Sequence, residues 1–170
     1  MYRRFMNRLN HHPPMKKHQY QTKTIWTGNR GEGTKTYRAY DRSYEIRIDN
    51  KPTILGSSDP TFLGDPSRHN PEEQLVAALS SCHLLWYLHL CASEGIVVVE
   101  YKDVASGIME ENEEGSGQFS EVTLHPHIII EKKEMIEKAI SLHEKAHEYC
   151  FIARSVNFPV KLNPKIKAKN

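Results

Sequence analysis

Three cysteines in 170 residues are too few for a disulfide framework, and sparse thiols suit a reducing compartment. Nowhere do ~18–20 apolar residues follow one another, the length a membrane-spanning helix needs. Apolar runs such as Ile96–Val99 and Ile128–Ile130 are strand-sized. Nucleotide-binding loops, a G-x-S-x-G nucleophile elbow, a C-x-x-C pair and internal repeats are all missing. Gly28-x-x-Gly31-x-Gly33 lacks the strand and helix that would make it a phosphate loop and is a turn. What remains, at 38% hydrophobic and 26% charged residues, is the composition of one ordinary globular domain.

Acidic residues are absent from both ends. Residues 1–18 carry Arg3, Arg4, Arg8, Lys16 and Lys17, and residues 161–170 carry Lys161, Lys165, Lys167 and Lys169, with no acid in either stretch. The intervening body holds fourteen basic against twenty-one acidic groups. An acidic body with basic ends argues against nucleic-acid recognition, which needs a basic stripe on the folded face. The first eighteen residues lack the apolar run of a secretory signal, and His11-His12-Pro13-Pro14 interrupts any helix there. The expected organisation is therefore a flexible basic segment over 1–18, one domain over 19–162 and a basic tail over 163–170. The expected location is the cytoplasm, with no membrane and no nucleic-acid partner.

Hydrophobic periodicity predicts strands over Tyr20–Thr27, Thr34–Tyr40 and Tyr44–Ile48, a turn at Asp49–Pro52 and a loop over Gly56–His69. Asn70-Pro71-Glu72-Glu73 is a strong helix start, with Asn as cap, Pro at the first helical position and acids in the first turn. That helix runs to about Glu94, where Gly95 can take the left-handed conformation. Leu75, Leu79, Cys82 and Trp86 share one face, and the leucines that follow make its second half apolar nearly all round, as in a central helix. Val97–Met109 reads as one long strand, Gly115–Gly117 as a hairpin turn and Phe119–Ile130 as the return strand. Lys133–Tyr149 is a second helix, with Ile136, Ala139, Ile140, His143, Ala146 and His147 on one face, and Val156–Leu162 a last short strand. The pattern is α+β.

Two constellations carry chemistry. Cys82 and Cys150, 68 residues apart, sit among apolar neighbours. Small buried hydrophobes are the ordinary reading of such thiols; chemistry requires a nearby cation or helix N-terminus to hold one as thiolate. Cys91 falls on the opposite side of the helix from Cys82 and is packing. The second constellation, His143-Glu144-Lys145-Ala146-His147, is a literal H-E-x-x-H that can place two imidazoles around zinc with a glutamate as base. It lacks a downstream third ligand, and Lys145 puts a cation beside it.

Asn70-Pro71-Glu72-Glu73-Gln74-Leu75, followed by Ser80-Ser81-Cys82-His83 on one long helix, resembles the OsmC/Ohr family of osmotically induced and organic hydroperoxide resistance proteins. The family pattern N-P-E-E-x-L-x-x-A-x-x-x-C is matched with its spacing intact. A second cysteine matches at Cys150, within Ala146–Ala153, and Trp26-x-Gly28 is similar to the first family strand. The resemblance covers about residues 19–162. It implies an intertwined α+β homodimer that reduces organic hydroperoxides without metal or organic cofactor. Cys82 is then the peroxidatic thiolate, Cys150 its disulfide partner, and a dithiol reductant, in this family often a lipoylated protein, resets the pair.

The same resemblance implies an arginine, salt-bridged to Glu72, that holds Cys82 as thiolate. The OsmC-like position for it, Thr61-Phe62-Leu63-Gly64, contains none; the Ohr-like position offers Arg30, and Arg68 is a third choice. Glu72 stands about 15 Å of helix rise from Cys82, so it reaches the thiol only from a partner chain or around a bend. Two alternatives stay open: a non-catalytic member that binds a hydrophobic ligand, and a zinc hydrolase built on His143, Glu144 and His147.

Overall fold

The computed structural model describes residues 16–169, so residues 1–15 of the proposed basic segment lie outside the described residues. The fold is organised on helix α1, Pro71–Ser93, and its ends explain its length. The Asn70 side chain accepts a hydrogen bond from Glu73 N at 2.7 Å, and the Glu73 carboxylate accepts one from Asn70 N at 3.3 Å. This reciprocal box, with Pro71 at the first position, satisfies amide donors that the helix itself cannot. At the other end Gly95 adopts φ +72°. Ile96 N then donates to Cys91 O at 2.8 Å and Gly95 N to Ala92 O at 3.2 Å, a closure that favours glycine at the left-handed position.

Three small sheets surround α1. The first is β1 (Lys23–Trp26), β2 (Tyr44–Arg47) and β3 (Ile54–Gly56), all antiparallel. The second joins β4 (Val98–Asp103), β7 (Pro126–Ile130) and β9 (Lys165–Ala168); the third joins β5 (Ser106–Glu111), β6 (Gly117–Leu124) and β8 (Val160–Leu162). Helix α2, Ile136–Tyr149, packs against α1 and β9. The early half of α1 puts Val76 and Leu79 on a core with Val122, Leu124 and Phe158. Its later half puts Tyr87, Leu90 and Cys91 on a second core with Ile128, Ile130 and Ala139. Cys82 and His83 lie on α1 between these two cores. By length and mean hydropathy α1 is apolar enough to cross a membrane. Its polar positions are used inside the protein instead: Ser80 Oγ donates to Asp103 at 2.6 Å, and His83 is bonded to α2.

Four expectations need correction. Thr34–Tyr40 is a set of turns, with a single bridge from Tyr40 to Asn29; Gly31 and Gly33 take positive φ there, and Arg30 and Arg42 occupy its carbonyls. The strand expected over Val97–Met109 is two strands in different sheets, and so is its return over Phe119–Ile130. Asp103 makes the break: its Oδ1 accepts from His125 N at 2.7 Å, turning both chains at one level. The apolar face of α2 uses Leu142, while Ile140 is 47% exposed. Finally, 163–170 is not a free tail. Lys165–Ala168 forms β9, parallel to β7, with Ile166 packed on the second core. Its lysines point out while alternate residues point in, and that alternation was masked by the charge count.

If β9 is a structural strand, Ile166→Ala lowers unfolding free energy by about 2 kcal/mol, whereas Lys165→Ala changes it by less than about 0.5 kcal/mol. Urea titration of the two variants checks this; equal, negligible effects would restore the tail.

Candidate active site

Cys82 and Cys150, far apart in sequence, are neighbours in the fold. Cys82 is half-buried on α1, and Cys150 is fully buried at the C-terminal cap of α2. Burial pushes the Cys150 thiol up to about 11, and its contact with Cys82 adds to the rise. The chain turns sharply after Cys150, and Ala153 N donates to its Sγ at 3.4 Å. Cys150 is thus held as a neutral thiol by burial, and the amide aimed at its sulfur opposes that rise. No disulfide joins them, and both are free thiols.

Aromatic rings flank the pair. Trp86, one turn beyond Cys82, stacks on Tyr149 with centroids 5.1 Å apart and meets Phe151 edge-on at 5.7 Å. Tyr149 and Phe151 bracket Cys150 in the chain, and Phe151 is 67% exposed.

The remaining sequence candidates lie elsewhere. Glu72 sits in the first turn of the unbroken α1 and lines a cavity of about 460 Å³ with Phe62, Val76, Met109 and Phe119. Its Oε2 is buried with no partner, as is Nη1 of Arg68, whose Nε reaches Asp65 at 3.5 Å. Arg30 is exposed. It donates to the carbonyls of Ala39 and Arg38 and pairs with Asp41 at 3.8 Å. Among the described residues no hydrogen bond or ion pair joins Arg30 or Arg68 to Glu72 or to either thiol of the pair.

The H-E-x-x-H segment is taken apart by its neighbours. His143 is buried, its Nδ1 facing His83 Nε2 at 2.9 Å, while Glu144 is exposed to solvent. Among the described residues no three His, Cys, Asp or Glu side chains converge as a metal site. Among the described residues His143, Glu144 and His147 are therefore not assembled as a zinc-hydrolase centre. Sequence reasoning missed the His83–His143 pair altogether. The only signal for it was a histidine on the buried face of each helix.

Two helices that bring a pair of thiols together beneath aromatic rings, wrapped by three small sheets, define an α+β dithiol protein. The model of the OsmC-like protein family matches residues 64–165, and the chain belongs to that family. It is similar to an OsmC-like protein of unknown function from Vibrio cholerae, at 30% identity over 89% of this chain and 100% of that one, with a TM-score of 0.76. Organic hydroperoxide resistance proteins share the fold. One from Elizabethkingia anophelis is 21% identical over 91% of this chain and 100% of its own, with a TM-score of 0.64. One from Legionella pneumophila is 18% identical over 89% and 99%, with a TM-score of 0.62. No curated protein matches this chain.

The buried histidines set a pH dependence. Desolvation holds His83 down at about 4, aided by His147 and opposed by Asp103; desolvation likewise holds His143 at about 3, aided by His83. Tyr87, Cys91 and Tyr101, packed nearby, are themselves held neutral by burial. Both imidazoles are neutral in the fold, so below the ordinary value of 6.5 the unfolded chain binds more protons. Stability is full above that pH and is lost as pH falls from 6.5 toward 4. Between pH 7 and pH 5 the loss amounts to about 2 kcal/mol per histidine. Urea unfolding at the two pH values measures it, and His143→Phe should remove about half; an unchanged stability at pH 5 contradicts the assignment.

Proposed function

We propose that this protein is a thiol peroxidase for organic hydroperoxides, with the adjacency of Cys82 and Cys150 beneath an aromatic mouth as the carrying observation. The Cys82 thiolate attacks the terminal peroxide oxygen. The O–O bond breaks, the alkoxide leaves and takes a proton to become an alcohol, and Cys82 becomes a sulfenic acid. The Cys150 thiol then attacks the sulfenic sulfur, forming the disulfide and releasing water. A dithiol reductant, a lipoylated protein in this reading, restores both thiols by exchange. The half-exposed thiol is the one that meets substrate, and the fully buried one resolves it. The apolar approach past Trp86 and Phe151 favours bulky alkyl or aryl peroxides over hydrogen peroxide.

The cation that activates Cys82 comes, in this proposal, from a second copy of the chain. Three features support a homodimer: the unpartnered carboxylate oxygen of Glu72, the distance of Glu72 along α1 from Cys82, and the apolar residues left uncovered. Trp26, Leu55, Leu85, Val97 and Val99 are all more than 40% exposed in the single chain, apolar surface that a second copy would cover. Arg30, on an exposed loop, and Arg68, four residues before Glu72 in the chain, are the two candidates to complete the site. The expected location is the cytoplasm, where dithiol reductants are available.

Stopped-flow kinetics with cumene hydroperoxide tests the chemistry. Cys82→Ser abolishes peroxide consumption; Cys150→Ser retains one rapid oxidation per chain and leaves a sulfenic acid that dimedone traps. Unaltered turnover in Cys82→Ser would overturn the proposal. A fully folded wild type inert to millimolar peroxide would instead support a ligand-binding role for the same fold.

Arg30→Met is expected to slow peroxide attack at least tenfold with the dimer intact, and Arg68→Met by less. The reverse order would transfer the activating role to Arg68.

A further inference from the structure

His83 and His143 are 1% and 2% exposed, deeper than an imidazole is ordinarily placed. Their facing nitrogens stand 2.9 Å apart and their rings are 8° from parallel. Tyr87 covers the face of His143 with centroids 4.0 Å apart. A leucine or phenylalanine would fill this space at lower desolvation cost. What the polar pair adds is direction: its strength falls steeply with distance and angle, whereas apolar packing between helices tolerates sliding.

The pair is placed to resist one particular slide. The contact between Cys82 and Cys150 and the ion pair between Glu94 and Lys138 are two rungs of the antiparallel pair α1 and α2. They are twelve residues apart on each side, counted to the C-cap Glu94 of α1 and the C-cap Cys150 of α2. On that ladder the residue level with His83 is Tyr149, yet His83 is bonded to His143, six positions back along α2. The bond therefore runs obliquely between the rungs. Any shift of α1 along α2 stretches or compresses it, and a shift of one residue, about 1.5 Å, is enough to break it. His83 is also the chain neighbour of Cys82, so the same shift displaces Cys82 relative to Cys150.

We propose that the His83–His143 bond is a positioning strut: it fixes the axial register of α1 on α2 and so sets how readily Cys82 and Cys150 close into a disulfide. The inference rests on the reading of these two thiols as a redox pair. His83 and His143 are positioning residues and touch neither peroxide nor the reacting sulfur.

The test uses the full chain and needs no peroxide. Reduced protein is equilibrated with mixtures of oxidised and reduced glutathione, so that protein dithiol and glutathione disulfide exchange for protein disulfide and two glutathione thiols. Alkylation followed by peptide mapping then gives the Cys82–Cys150 equilibrium constant. His83→Gln, whose amide nitrogen reaches as far as Nε2, keeps the bond and is expected within threefold of wild type. His83→Leu, which fills the space without the bond, lowers the constant at least tenfold with an unchanged circular dichroism spectrum. His143→Phe, which keeps the stack on Tyr87, shifts it the same way and serves where the leucine variant does not fold. Wild-type constants in the folded Leu or Phe variant, or a Gln variant as impaired as Leu, overturn the strut alone. A wild type that forms no Cys82–Cys150 disulfide at any glutathione ratio overturns the redox pair and the strut with it.

Discussion

The packing of α1 against α2 is the constraint on which the rest of the molecule depends. α1 presents Cys82, α2 ends on Cys150, and each helix carries one buried histidine and a stripe of apolar residues; only together do these become a thiol pair, an imidazole pair and a continuous core. The sheets serve that contact. β4, β7 and β9 close the later half of α1, and β5, β6 and β8 close the earlier half through Leu79, Val122 and Leu124. Burying two imidazoles costs stability that an apolar pair would not, and the cost falls at the point where register matters most.

The single chain holds an incomplete electrostatic site. Its Cys150 thiol is buried and neutral, and Arg30 and Arg68 are engaged elsewhere or lack a partner. Glu72 lies in its own cavity at the far end of α1 from the second core. The proposed dimer joins these halves, which makes peroxide chemistry dependent on assembly. The Glu72 oxygen and the Arg68 nitrogen are both buried and unpartnered in one chain.

Much of this was legible in the sequence, for local reasons. The Asn70-Pro71-Glu72-Glu73 start and the Gly95 stop bounded α1 because caps are written in neighbouring residues. The family resemblance, rather than the spacing, singled out Cys82 and Cys150 together, and the fold makes them neighbours. What sequence could not give was set by distant partners. The break between β4 and β5 depends on Asp103 meeting His125, and β9 on Ile166 finding the second core. The H-E-x-x-H motif looked like chemistry because its helix spacing is local, but its outcome was decided by His83, sixty residues earlier.

The most direct measurement is a titration of fully reduced protein with cumene hydroperoxide, counting thiols and mapping linked peptides. The account predicts that one equivalent per chain removes two thiols within seconds, joins Cys82 to Cys150 and leaves Cys91 free. Three intact thiols per chain after millimolar peroxide, or a disulfide involving Cys91 instead, would contradict it.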